Sequence, residues 1–99
     1  MTYLENKMYF VKESKKFRRL VKRYLRSGKI EREDIQNIIE ILARGEKLGS
    51  KYKDHELKGD FQGIRECHIE SDLLLLYQVN EENRILFLIN IGSHSDLFG

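Results

Sequence analysis

The chain has 99 residues, 34% of them charged and 40% apolar, with a net charge of +2, one cysteine and no proline. That is room for one domain with one modest core, expected over residues 1–99, and no apolar run reaches the roughly 20 residues needed to span a bilayer. The lone cysteine, Cys67, excludes an internal disulfide and makes a reducing, cytoplasmic setting the expectation. The first twelve residues carry Glu5, Lys7 and Lys12 and lack the apolar stretch of a signal peptide. No Cys/His spacing suggests zinc and no Gly-rich phosphate loop is present, so neither a metal nor another cofactor is expected.

In chain order, Met8 to Val11 reads as an edge strand. Ser14 is an N-cap, and Phe17, Leu20, Val21, Tyr24 and Leu25 follow at helical spacing until Ser27-Gly28 ends the helix. A second helix starts near Glu31, with Glu31, Glu33 and Asp34 in its first turn, where the dipole favours acids. Its apolar stripe is Ile35, Ile38, Ile39 and Leu42, and Gly45 closes it. From Gly63 the period changes to two, with Arg65, Cys67 and Ile69 on one side and Ile64, Glu66, His68 and Glu70 on the other. Leu73 to Val79 is a continuous apolar run suited to a central strand buried on both faces. Asn80-Glu81-Glu82-Asn83 is a turn, and Ile85 to Ile91 a further strand. Tight connections make these three strands an antiparallel meander. The class is therefore α+β in the order β-α-α-β-β-β, with two helices covering one face of a twisted antiparallel sheet.

Charge is segregated along the chain. Residues 1–50 carry 13 Lys/Arg against 7 Asp/Glu, and residues 51–99 carry 5 against 9. Between Lys15 and Lys29 the first helix holds Lys15, Lys16, Arg18, Arg19, Lys22, Arg23 and Arg26 with no acid among them. Such a field attracts polyanions, of which nucleic acid is the commonest in a cytoplasm. An acidic protein partner and a plain solvated face are the alternatives.

All three histidines, His55, His68 and His94, lie in the second half. Imidazole serves as acid or base near neutral pH. RNA cleavage needs a base for the ribose 2′-hydroxyl, an acid for the departing 5′-oxygen and donors for the charged transition state, and no metal is required for this route. Asp72 can act as base or orient a histidine; Lys51, Lys53, Lys58, Arg65 and Arg84 can hold phosphate; Phe98 can stack a base. Taken singly, each has a plainer reading. A lone histidine is more often surface or satisfied core, Asp72 beside Ser71 a turn residue, Phe98 a core plug, the lysines solvated, and Cys67 a packing residue.

Read together, YKDHELKG (residues 52–59), GIRECHIESD (residues 63–72), LLLLY (residues 73–77) and IGSHSDLFG (residues 91–99) resemble the YafQ-type mRNA interferases of the RelE/ParE toxin superfamily. The resemblance is detailed from Tyr52 to Gly99, while the first half matches in layout and basic character. It implies a RelE-like fold, endonucleolytic cleavage of mRNA on the translating ribosome, and control by a DinJ- or RelB-like antitoxin. Operator DNA would be met only through the antitoxin complex, and no membrane is involved. It assigns His55, His68, Asp72, His94 and Phe98 to the active site. His94 is its leading proton donor to the leaving oxygen, with the base left open among His55, His68 and Asp72. On this resemblance Lys15, Arg18, Arg19, Lys22, Arg23 and Arg26 would meet the ribosome or the antitoxin. Two positions depart from the pattern: Leu73 where some relatives carry an aromatic, and Asn90 where an arginine is common. The competing expectations are a ParE-like toxin that binds DNA gyrase without this histidine set, and a non-catalytic interaction protein.

Overall fold

The structure, a computed structural model, describes residues 9–99. Its elements are β1 (Phe10–Glu13), α1 (Lys15–Ser27), α2 (Arg32–Ala43), β2 (His55–Glu56), β3 (Arg65–Glu70), β4 (Leu73–Asn80), β5 (Ile85–Gly92) and α3 (His94–Phe98), with 3-10 turns at Ser50–Tyr52 and Gly59–Phe61. The expected first strand is present from Phe10; Met8 lies outside the described residues.

The two long helices begin and end where their signals stand. The Ser14 hydroxyl oxygen accepts from the Phe17 N–H at 2.9 Å, which starts α1. Gly28, at φ 78, closes it, since a left-handed residue there lets the next amides reach back to the free carbonyls. After α2 the Gly45 N–H donates to the Leu42 carbonyl at 2.9 Å and the Glu46 N–H to the Ile41 carbonyl at 3.1 Å, which is the Schellman pattern.

The sheet is five-stranded, in the order β1-β5-β4-β3-β2. Strands β3, β4 and β5 form the antiparallel meander, and β2 adds antiparallel to β3. β1 lies parallel to β5, Phe10 opposite Ile85, so the sheet is mixed and not antiparallel throughout as expected. The reason is connectivity: strands joined by tight turns must reverse, whereas β1 meets β5 only after a long excursion. Strand β2 and helix α3 are too short to leave a periodic signal in the sequence.

The two sheet faces differ in what covers them. Cys67, Leu75 and Ile91 form one cross-strand row, and all three pack in a cluster with Phe17, Ile35, Ile38 and Leu42 of the helices. Leu74 and Leu76 alternate with them, point to the other face, and are nonetheless buried. Among the described residues no helix is long and apolar enough to cross a membrane.

Candidate active site

Register carries the second half's polar residues to the face away from α1 and α2. His55 pairs with Glu66, Glu66 with Leu76 and Leu76 with Asn90, making one row across four strands. The adjacent row is His68, Leu74 and Gly92. Residues two apart share a face, so His55, Glu66, His68 and Asn90 stand on the same surface. The Ser71-Asp72 turn between β3 and β4 and the start of α3 after β5 lie at the same end of the sheet. His68, Asp72, His94 and Phe98 therefore lie toward that end, and His55 stands one row further from it on the same face.

His55 is held at both nitrogens. Its Nδ1 lies 2.8 Å from the Lys53 carbonyl, and its Nε2 lies 3.3 Å from Glu66 Oε1. A carbonyl only accepts, so Nδ1 carries a proton and donates it. Nε2 then faces the Glu66 carboxyl, a contact that attracts only when a proton lies between the two. Lys53 sits in the left-handed region, φ 49, and presents its carbonyl from there. Glu66 is 5% exposed and is the buried charged residue among those described; burial without a partner would be costly, and His55 supplies the partner. Sequence reasoning singled out His55 and passed over Glu66, because the pairing depends on a strand of two residues.

Behind this pair, on the helix side, Asp54 accepts from Tyr77 Oη at 2.6 Å and from Arg65 Nε at 3.2 Å. Burial first, and then the bond to Asp54, raise the Tyr77 hydroxyl above its ordinary pKa, so it remains a donor. The clamp ties the segment before β2 to β3 and β4 and so anchors His55 next to Asp54. Arg65, expected on phosphate, is thereby directed to the helix side and is not brought together with the histidines. Burial pushes the Cys67 thiol up to about 12, so it is no nucleophile at neutral pH.

At β5 the ladder shifts between Leu76 and Tyr77, leaving Ile89 as a bulged residue beside Asn90. Ser14 Oγ donates to the Ile89 carbonyl at 2.6 Å and fixes the bulge. Asn90 Oδ1 accepts from the Ile91 N–H at 2.9 Å, which leaves its amide nitrogen as the group that can donate elsewhere. Helix α3 folds back over Gly92, where a Cβ would come within 3.3 Å of Asp96 Cβ and 3.4 Å of Leu97. Ser93 caps it, accepting from the Asp96 N–H at 3.1 Å. Its outer surface carries His94 and Phe98, with ring centroids 5.0 Å apart. Tyr24 of α1 donates to Asp96 at 3.3 Å and ties this short helix to the long one.

His68, Asp72 and His94 make no side-chain hydrogen bond among the described residues. Lys51 and Lys53 join His68 around a cleft of about 410 Å³ between α2 and the β3 edge, and Lys58 caps the turn Gly59–Phe61. Arg84, in the β4–β5 turn, lies at the far end of the hairpin, roughly 20 Å from Asn90 by strand rise. On α1, Lys15, Arg18, Arg19, Lys22, Arg23 and Arg26 are exposed and line a single groove. No group of three or more His, Cys, Asp or Glu side chains among the described residues is placed to hold a metal ion.

Comparison with known proteins follows the same lines. A family model described as "Bacterial toxin of type II toxin-antitoxin system, YafQ" matches residues 9–99. The mRNA interferase toxin YafQ of Escherichia coli strain K12 is 38% identical over 52 residues, 52% of this chain and 54% of that protein. The chain thus spans about half the length of the curated relatives it matches. Among solved structures, a metal-bound toxin from Helicobacter pylori superposes with a TM-score of 0.86 at 41% identity, over 92% of this chain and 100% of the other. YafQ in the E. coli DinJ–YafQ toxin–antitoxin complex superposes at 0.80 with 26% identity, over 93% and 99%.

Proposed function

Because the chain belongs to the YafQ family of bacterial toxins of type II toxin–antitoxin systems, we propose that it is an endoribonuclease that cleaves mRNA by histidine acid–base catalysis. The observation that carries this reading is the contrast among the three imidazoles. His55 is committed at both nitrogens, while among the described residues the nitrogens of His68 and His94 have no hydrogen-bond partner, and both residues stand toward one end of the polar face. Two imidazoles with free nitrogens on either side of a phosphate divide the two proton transfers.

In this reaction His68 takes the proton from the ribose 2′-hydroxyl. The 2′-oxygen attacks phosphorus, the bond from phosphorus to the 5′-oxygen breaks, and His94 protonates that oxygen. The products are a 2′,3′-cyclic phosphate and a 5′-hydroxyl. The Asn90 amide offers a donor to the charged phosphorane, and His55, held by Glu66 and the Lys53 carbonyl, shapes the floor of the site beside it. Asp72, at the same end, orients an imidazole, and Phe98 packs beside His94. Lys51, Lys53 and Lys58 border the face and attract the RNA backbone. The basic groove of α1 meets ribosomal RNA when the message is on the ribosome, and a DinJ-like antitoxin restrains the free toxin.

Primer extension on cellular mRNA after induction tests the reading. Wild type should produce new 5′ ends that His94→Ala does not. Equal growth arrest by both proteins, with mRNA intact, would overturn it.

A further inference from the structure

One aromatic residue is conspicuous by its place. Phe61 is 39% exposed, although phenylalanine is among the residues most often buried. The other exposed large apolar side chains among the described residues, Phe10 and Val11, belong to the edge strand β1. Phe61 instead stands at the tip of the turn that follows β2, the strand carrying His55. Its ring meets Phe98 edge to face, with centroids 5.4 Å apart and planes at 82°. Phe98 in turn lies 5.0 Å from the His94 ring at 47°. The three rings form a chain that ends on an imidazole of the site.

The turn is built to hold that ring out. The Phe61 N–H donates to the Lys58 carbonyl at 3.4 Å, and the Phe61 carbonyl accepts from the Ile64 N–H at 3.0 Å. Gly59 at φ 68 and Gly63 at φ 93 bracket it in left-handed backbone that side-chain-bearing residues rarely adopt. Two rings at 82° do not stack on each other. They make a corner in which a flat ligand lies on one ring and meets the edge of the other. Leu73, where some relatives have an aromatic, is 6% exposed in the helix-side core and offers nothing to a ligand.

We propose that Phe61 is a nucleobase-stacking residue of this site, forming with Phe98 the corner that receives an unstacked base next to the scissile phosphate. This rests on the endoribonuclease reading above. Unpaired bases dock on aromatic faces in this manner, and removing such a face weakens binding about tenfold per base. Lys58, three residues earlier in the same turn, is placed to follow the adjoining backbone.

The test compares wild type with Phe61→Leu, which keeps an apolar neighbour for Phe98 but has no π-face, and with Phe61→Trp. A short single-stranded RNA with a 2′-deoxy nucleotide at the cut position resists cleavage, and 2-aminopurine beside that position reports stacking. Wild type and Phe61→Trp should quench the fluorophore on binding. Phe61→Leu should lose the quenching and show a KM for cleavable RNA raised about tenfold, with kcat changed far less and the melting temperature within a few degrees. Wild-type quenching and KM in Phe61→Leu would overturn the proposal while leaving the nuclease reading intact. Failure of wild type to bind or cut RNA would overturn both.

Discussion

The two faces of the central sheet are built from alternate residues of the same strands and answer to different requirements. On the helix side, Cys67, Leu75, Leu88 and Ile91 are at most 1% exposed and pack against α1 and α2. There, shape and apolar area dominate, with the Asp54–Tyr77–Arg65 clamp at the margin. On the other side, Glu66, His68 and Asn90 alternate with them, beneath a helix of only five residues and a single 3-10 turn. That face carries the groups to which the proposed function gives proton transfer and hydrogen bonding, interleaved with the buried Leu74 and Leu76. On the proposed function, catalytic and packing positions are thereby separated by one residue of register, about 3.3 Å of strand.

The widest separation should appear between His94→Ala or His68→Ala and Leu75→Ala. Each histidine variant should lose on the order of 10²–10⁴ in cleavage rate while unfolding as wild type. Leu75→Ala should lose about 2–5 kcal/mol of stability and retain its rate per folded molecule. Single-turnover cleavage and urea denaturation on the same samples measure both, and a histidine variant that cleaves normally would break the division. Glu66→Gln keeps the shape of the buried side chain and removes its charge. The 3.3 Å contact that fixes His55 Nε2 is then weakened, and cleavage should fall about tenfold with a smaller loss of stability.

Gly92→Val tests the boundary between the faces. Its added atoms meet Asp96 and Leu97, where a Cβ alone would already be 3.3 Å away. Helix α3 should move and take His94 and Phe98 with it, lowering kcat severalfold at a stability cost of about 1–3 kcal/mol. Alkaline titration gives the smallest effect and belongs to the core face. Burial raises Cys67 from 9.0 to about 12, so the folded state holds its proton after the unfolded chain has released it. That contribution is fully present below pH 9 and is lost as pH rises toward 12. Cys67→Ala should flatten the fall, as read by melting temperature between pH 8 and 11. Tyr77, also raised by burial and by Asp54, loses stability in the same direction and remains in that variant as a background.

Local chemistry was enough for the long elements. The Ser14 cap, the apolar stripes of α1 and α2, the glycines at 28 and 45 and the period-two alternation from Arg65 to Glu70 each act within a few residues, and each is present in the structure. The histidines were visible by their chemistry, though singly none outweighed a plainer reading; their ordered segments drew attention to them. What sequence proximity could not supply was partnership. Glu66 becomes the partner of His55 through a two-residue strand, and Arg65 turns to Asp54 and Tyr77 because strand parity sends it to the helix side. Phe61 and Phe98 meet although 37 residues separate them in the chain. Short elements lack a period to read, and contacts across a sheet depend on register, which is decided when the whole apolar face is buried at once. The sequence alone determined which residues have the means to move a proton. Only the tertiary structure decided that His55 is held at both nitrogens while, among the described residues, those of His68 and His94 are left without a hydrogen bond.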